Sequence, residues 1–236
     1  MSNFQNNILK KTVIFLSLIN VLAFLVYYTA FYVFRNQVTL YVFYYFTEFA
    51  NSVLPILAAT ALLTSYVKYG VNKSLLHALC FSLTWILNLF PYYAYEYAYQ
   101  RLEIGAVLTF AAIHTFFMII VTYIEITVLF LLMIFVSEKN AKRKGCSFDK
   151  SVILKENSPT DFGNPVTMGI FSASAAMFVY NLVNEIIDTV SYIRDVDGFY
   201  ETGEIIYIVF RYFFLLAMLF VSHFAANYAK KKLLNH

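Results

Sequence analysis

The chain has 236 residues, of which 61% are hydrophobic and only 13% are charged, with a formal net charge of +3 and a mean hydropathy of +0.66. An ordinary soluble domain carries about 25% charged residues, so this composition excludes a soluble globular protein. It predicts an integral membrane protein.

Six apolar windows follow one another along the chain, and each can span roughly 30 Å of hydrocarbon at about 1.5 Å per residue. The sequence therefore predicts an all-α bundle of six transmembrane helices that forms a single domain over residues 1–236. The windows cover residues 11–34, 38–67, 74–95, 104–136, 166–193 and 203–229. Two of them are longer than a bilayer requires, which predicts tilt, a kink at Pro55 or extension beyond the bilayer.

The basic residues predict the orientation of this bundle. If the N-terminus lies inside, the inner segments hold most of the 17 lysines and arginines, and the outer segments hold only Arg35, Arg101 and Arg194. Basic residues accumulate on the cytoplasmic side of membrane proteins. We therefore expect both termini to be cytoplasmic, in a multi-pass protein of the cell membrane.

The predicted cytoplasmic loop 137–165 is the one connection of any size. It holds a basic cluster from Lys139 to Lys144 and a short amphipathic piece around Phe148 to Leu154. We interpret the cluster as a topological determinant that touches anionic lipid headgroups. Phosphate-binding loops, metalloprotease motifs and hydrolase motifs do not occur in the sequence. It therefore predicts no catalytic residues, metal or cofactor, and no nucleic-acid partner.

Four strongly polar residues share one face of the fifth predicted span. Asn181, Asn184, Glu185 and Asp188 follow the spacing i, i+3, i+4 and i+7, which places them within about one 100° arc of a helix. A carboxylate in hydrocarbon costs several kcal/mol unless it is paired, hydrated or protonated. We therefore expect this face to be used for binding or for bracing helices.

Counting residues from the ends of the windows places further polar residues at the same depth in the membrane, in its outer half. They are Glu48 of the second span, His114 of the fourth and Arg211 of the sixth, and Asn51 shares a helix face with Glu48. An ion pair with Glu185 or Asp188 would lower the free-energy cost of placing the Arg211 charge in the membrane more than any other arrangement. One arginine cannot neutralise the carboxylates of Glu48, Glu185 and Asp188 together. At least one of them is therefore expected to be protonated, hydrated or matched by a bound cation.

The other intramembrane polar residues are predicted to connect helices. We interpret His77 in this way, and Glu125 as a hydrogen-bond partner between helices rather than as a proton relay. Tyrosines concentrate toward the predicted outer side. They form either an aromatic belt or the lining of an outward-open vestibule that suits an organic cation or amphipathic ligand.

Three functions follow from these patterns. The first is a small binding or transport protein for a cation, proton or amphipathic ligand. The second is a non-catalytic structural subunit that joins a membrane-protein partner or further copies of itself. The third is an intramembrane enzyme in which His114 and a carboxylate act as acid and base. We favour a protein that is not an enzyme, and no residue motif identifies a family.

Overall fold

The computed structural model describes residues 52–67, 70–83, 104–154, 158–195 and 202–234, together with the helical and exposed positions Ile14, Leu18 and Leu22. Every regular element within these residues is an α-helix, which confirms the predicted all-α class. The helices are α1 (Ser52–Val67), α2 (Val71–Leu83), α3 (Ile104–Arg143), α4 (Lys150–Leu154), α5 (Pro165–Asp195) and α6 (Thr202–Leu234).

Three of these helices are long and apolar enough to cross a membrane. The qualifying segments are Thr115–Arg143 of α3, Pro165–Ser191 of α5 and Ile208–Leu233 of α6. Large apolar side chains cover their outward faces: Phe116, Phe135 and Phe213 are 62%, 62% and 67% exposed. So much exposed apolar surface is compatible with contact with lipid. These helices support a membrane protein, while the count of six spans and the side of the termini stay predictions.

Helix α1 is buried along most of its length. Residues 52–64 are all buried except Leu57, which is partly buried. A helix that is buried on every face belongs to the interior of a bundle. At its far end, Ser65 forms a 2.7 Å hydrogen bond with Nδ1 of His77 on α2. This bond confirms the prediction that His77 connects helices.

Helices α3 and α5 run antiparallel and approach each other closely at Gly169. A methyl group on this glycine would lie 2.5 Å from the carbonyl oxygen of Met133 and would overlap the hydroxyl of Ser137. One turn further along α5, Ala173 is fully buried. Small residues four positions apart allow membrane helices to bring their backbones together. Gly169 therefore determines how closely α3 and α5 pack.

A local stop signal determines where α3 ends. Gly145 adopts a φ of 71°, and the N–H of Cys146 donates a 3.0 Å hydrogen bond to the carbonyl of Ala141. This is a Schellman motif, for which glycine is the favoured residue. The helix therefore continues past residue 136, where the apolar window ends, and Glu138 and Lys142 form a 2.7 Å ion pair along this extension.

The connection that precedes α5 is docked against α6. Asn164 caps α5 by accepting a 2.9 Å hydrogen bond from the N–H of Val166. Earlier in the same connection, the carbonyl of Pro159 accepts a 2.8 Å hydrogen bond from Nε2 of His223. The ring of Phe162 stacks on His223 at 5.6 Å. These contacts attach the connection to the buried His223 side chain of α6.

We expect Gly169→Ala to destabilise the protein, because the added methyl group would overlap the backbone of α3. Overpacking of this kind costs about 1–3 kcal/mol. The measurement is thermal unfolding of the purified chain in detergent. Ala217→Ser, which adds one heavy atom on the exposed face of α6, is the control and should unfold like the wild type. Unchanged unfolding of the Gly169 variant would contradict a close contact here.

Candidate functional site

The structure describes some of the site residues predicted from the sequence, and these lie on three helices. Helices α5 and α6 carry Asn181, Asn184, Glu185, Asp188 and Arg211 with their side chains. His114 lies in α3, but its side chain is outside the described part. Glu48 and Asn51 lie outside the described residues altogether, so their place in the site stays a prediction.

One row of polar residues on α5 is bonded to neighbouring helices, and we call Asn181, Glu185 and Thr189 the paired stripe. The side-chain amide of Asn181 donates a 2.8 Å hydrogen bond to the hydroxyl of Ser52 on α1. Thr189 accepts a 3.3 Å hydrogen bond from the hydroxyl of Tyr212 on α6. The spacing of four residues keeps all three side chains on one side of α5, where they connect it to two other helices.

The strongest contact of the paired stripe is the ion pair between Glu185 and Arg211. Nη2 of Arg211 lies 2.7 Å from Oε2 of Glu185, and the two side chains are 18% and 5% exposed. This confirms the predicted pairing of Arg211 with a carboxylate of α5. Both charges would be costly alone in hydrocarbon, and each offsets the cost of the other. The pair therefore holds α5 and α6 together.

A second row on α5 is exposed, and we call Tyr180, Asn184, Asp188 and Ser191 the exposed stripe. It lies about 100° around the helix from the paired stripe, and all four residues are exposed. Within the part of the chain that the structure describes, no hydrogen bond or ion pair holds Asn184 or Asp188. The exposed stripe thus presents polar groups on the side of a candidate membrane helix.

A groove opens between α3 and α5 at the end of the exposed stripe that Tyr180 occupies. It encloses about 320 Å³, which is at the lower end of the range for small-molecule pockets. Its walls are almost entirely apolar, and Glu125 and Tyr180 are the lining residues that carry a polar group. The lining residues are Val121, Ile124, Glu125, Val128, Leu129, Ala176, Met177 and Tyr180.

Glu125 is the residue whose role the sequence did not reveal. We expected it to form a hydrogen bond between helices, but none is found among the described residues. Glu125 lines the groove instead. One signal in the sequence was available, because Glu125 interrupts the most apolar of the three candidate spans, which has a hydropathy of 2.7. Carboxylates at such positions are costly, and they often mark functional sites.

Neither known proteins nor metal-binding geometry narrows the function further. Comparison with protein-family models, curated proteins and solved structures finds no match to this chain. Among the described residues, no group of three His, Cys, Asp or Glu side chains could hold a metal ion. The site is therefore interpreted from its own chemistry, which comprises one neutralised carboxylate and two that have no counter-charge in the described part.

We expect Arg211→Met to destabilise the protein strongly, because it leaves the Glu185 carboxylate buried without this cation. Removing one partner of a buried pair costs about 3–5 kcal/mol. The double variant Glu185→Gln with Arg211→Met should recover part of this loss, since it removes both charges. Thermal unfolding in detergent measures the effect.

The control for the ion pair is Lys142→Met. It removes the cation of the exposed pair with Glu138, and it should change stability by less than about 1 kcal/mol. If the double variant were no more stable than Arg211→Met alone, the Glu185 charge would not be the cause of the loss.

Proposed function

We propose that this chain is a small multi-pass membrane protein that binds or transports a cationic or amphipathic ligand along the exposed stripe. The observation that carries the proposal is the position of Asp188. It is exposed on a candidate membrane span, and no basic group pairs with it in the described part of the chain. A carboxylate at such a position requires water, a proton or a cation.

The distribution of charge supports a cationic ligand. Arg211 is engaged by Glu185 at 2.7 Å, so its charge is largely compensated by the paired stripe. Within residues 165–191 of α5, the negative charge that remains belongs to Asp188, and Asn184 one turn away offers an amide oxygen as a further acceptor. Together they favour a ligand that carries positive charge.

The surroundings of the exposed stripe favour an amphipathic ligand. Val183 and Ile187 lie beside the stripe on α5, and both are exposed. A ligand could place its charged group on Asp188 and its apolar part on these side chains. Tyr180 adds an aromatic ring at the groove end of the stripe, which can attract a cation through its face. The stripe extends about 16 Å from Ser191 to Tyr180.

We expect Asp188→Asn to weaken binding of benzyltrimethylammonium, a cationic aromatic probe, because the substitution removes the charge that attracts it. The concentration that gives half-maximal thermal stabilisation of the purified chain should rise about tenfold, which corresponds to about 1.4 kcal/mol. Asp161→Asn makes the same chemical change at an exposed position in the connection before α5, and it should leave stabilisation unchanged. Equal stabilisation of the wild type and Asp188→Asn would contradict the proposal.

A second candidate function is that of a structural subunit, in which the exposed stripe meets the same stripe of another copy. Its position on the side of α5 favours this alternative, because amide and hydroxyl groups on membrane helices form hydrogen bonds across helix interfaces. Asn184 and Ser191 can each donate and accept such bonds. In this case a neighbouring helix, rather than a ligand, would cover Asp188.

If two copies meet at this stripe, Asn184→Cys in a Cys80→Ser and Cys146→Ser background should form a disulfide-linked dimer upon mild oxidation in membranes. The Cα atoms of the two cysteines would then lie about 4.4–6.8 Å apart, the separation that a disulfide requires. Phe220→Cys, on the exposed side of α6, is the control and should remain monomeric. Dimers of the Phe220 variant alone, or of neither variant, would contradict a dimer through the exposed stripe.

A further inference from the structure

We propose that the groove between α3 and α5 binds a lipophilic amine, with its ammonium group on Glu125 and its apolar tail along the groove walls. This inference deepens the proposed binding function, on which it rests, because it names the class of ligand and the place where the charged group is held. The groove lies at the end of the exposed stripe, and Tyr180 belongs to both.

The chemistry of the groove distinguishes an amine from other occupants. Glu125 is partly buried on α3, and the described part of the chain provides neither a cation nor a hydrogen-bond donor for it. A hydrocarbon tail alone would leave this carboxyl group without a partner. An ammonium group supplies both the opposite charge and hydrogen-bond donors, and such charge-assisted bonds are stronger in surroundings of low dielectric constant.

Tyr180 provides the second element of ammonium recognition. Tyr180 lines the groove from α5, Glu125 lines it from α3, and Tyr180 is 53% exposed. The face of an aromatic ring attracts an organic cation, most strongly where water is excluded. A carboxylate on α3 and an aromatic ring on α5, both lining one groove, therefore suit an ammonium group better than they suit a neutral or anionic headgroup.

The position of the opening favours a ligand that arrives through the lipid. Ile124 and Val128 form one edge of the groove, and they are 53% and 55% exposed on the outward surface of α3. This edge lies within the candidate membrane segment Thr115–Arg143. The opposite wall includes Met177, which is buried. A tail could thus enter sideways from the bilayer while Glu125 holds the headgroup.

The test uses the full chain in nanodiscs of zwitterionic lipid and a dodecylamine that carries a photoreactive diazirine in its tail. Labelling should map to α3 and α5 by mass spectrometry. An excess of unlabelled dodecylamine should compete with the probe, and dodecanol should not. Glu125→Gln should reduce labelling about tenfold, whereas Glu138→Gln, the same change on the exposed end of α3, should not.

A second variant tests the groove without altering its charge. Ala176→Phe fills the space beside Met177 and should abolish labelling, while thermal unfolding like that of the wild type would show that the variant is folded. Unchanged labelling of Glu125→Gln would overturn the inference. Equal competition by dodecanol would also overturn it, because the occupant would then be a lipid tail. If Ala176→Phe proves unfolded, Glu125→Gln alone decides.

The two proposals can fail separately in this assay. If Asp188→Asn binds both probes like the wild type while Glu125→Gln loses dodecylamine labelling, the groove stands and the exposed stripe is not the binding surface. If Asp188→Asn loses benzyltrimethylammonium binding while Glu125→Gln keeps full labelling, the stripe stands and the groove inference is wrong.

Discussion

The close approach of α3 and α5 at Gly169 is the contact on which the described arrangement depends. A residue without a side chain lets the backbones meet at one end of the helix pair, beside Met133 and Ser137. Further along the same pair, the larger side chains of Leu129 and Met177 line a groove between the helices. The contact and the groove are therefore successive parts of one interface between α3 and α5. The backbones meet where α5 has a glycine, and the groove opens where larger side chains line the interface.

Helix α5 separates two kinds of polar group by rotation alone. Successive residues lie about 100° apart on a helix, so Asn184 and Glu185 face different surroundings although they are adjacent in sequence. Glu185 meets Arg211 of α6 and stabilises the bundle. Asn184 and Asp188 face outward and remain available to a ligand or to another protein surface. One helix can thus brace the fold and present a polar surface without using the same side chain twice.

The sequence was sufficient for the helical class, for three of the apolar spans and for the pairing of Arg211 with a carboxylate of α5, because periodicity and depth are properties of a single helix. It was not sufficient for the rotation of α5 about its axis, since this depends on which neighbours the helix meets. The four polar residues from Asn181 to Asp188 were therefore predicted as one face, although they divide between two stripes. For the same reason Glu125 was expected in a hydrogen bond, whereas it borders a groove. The depth of a residue in a span does not indicate what it faces.

The burial of α1 also has a consequence for the order of assembly. Its residues 52–64 are covered by other helices, yet α3 and α5 lie further along the chain and are synthesised later. When α1 first leaves the ribosome, these neighbours do not exist. Its apolar side chains and its internally bonded threonine hydroxyls leave few polar groups without a partner at that stage. Helix α1 therefore becomes buried only after the later helices have been made.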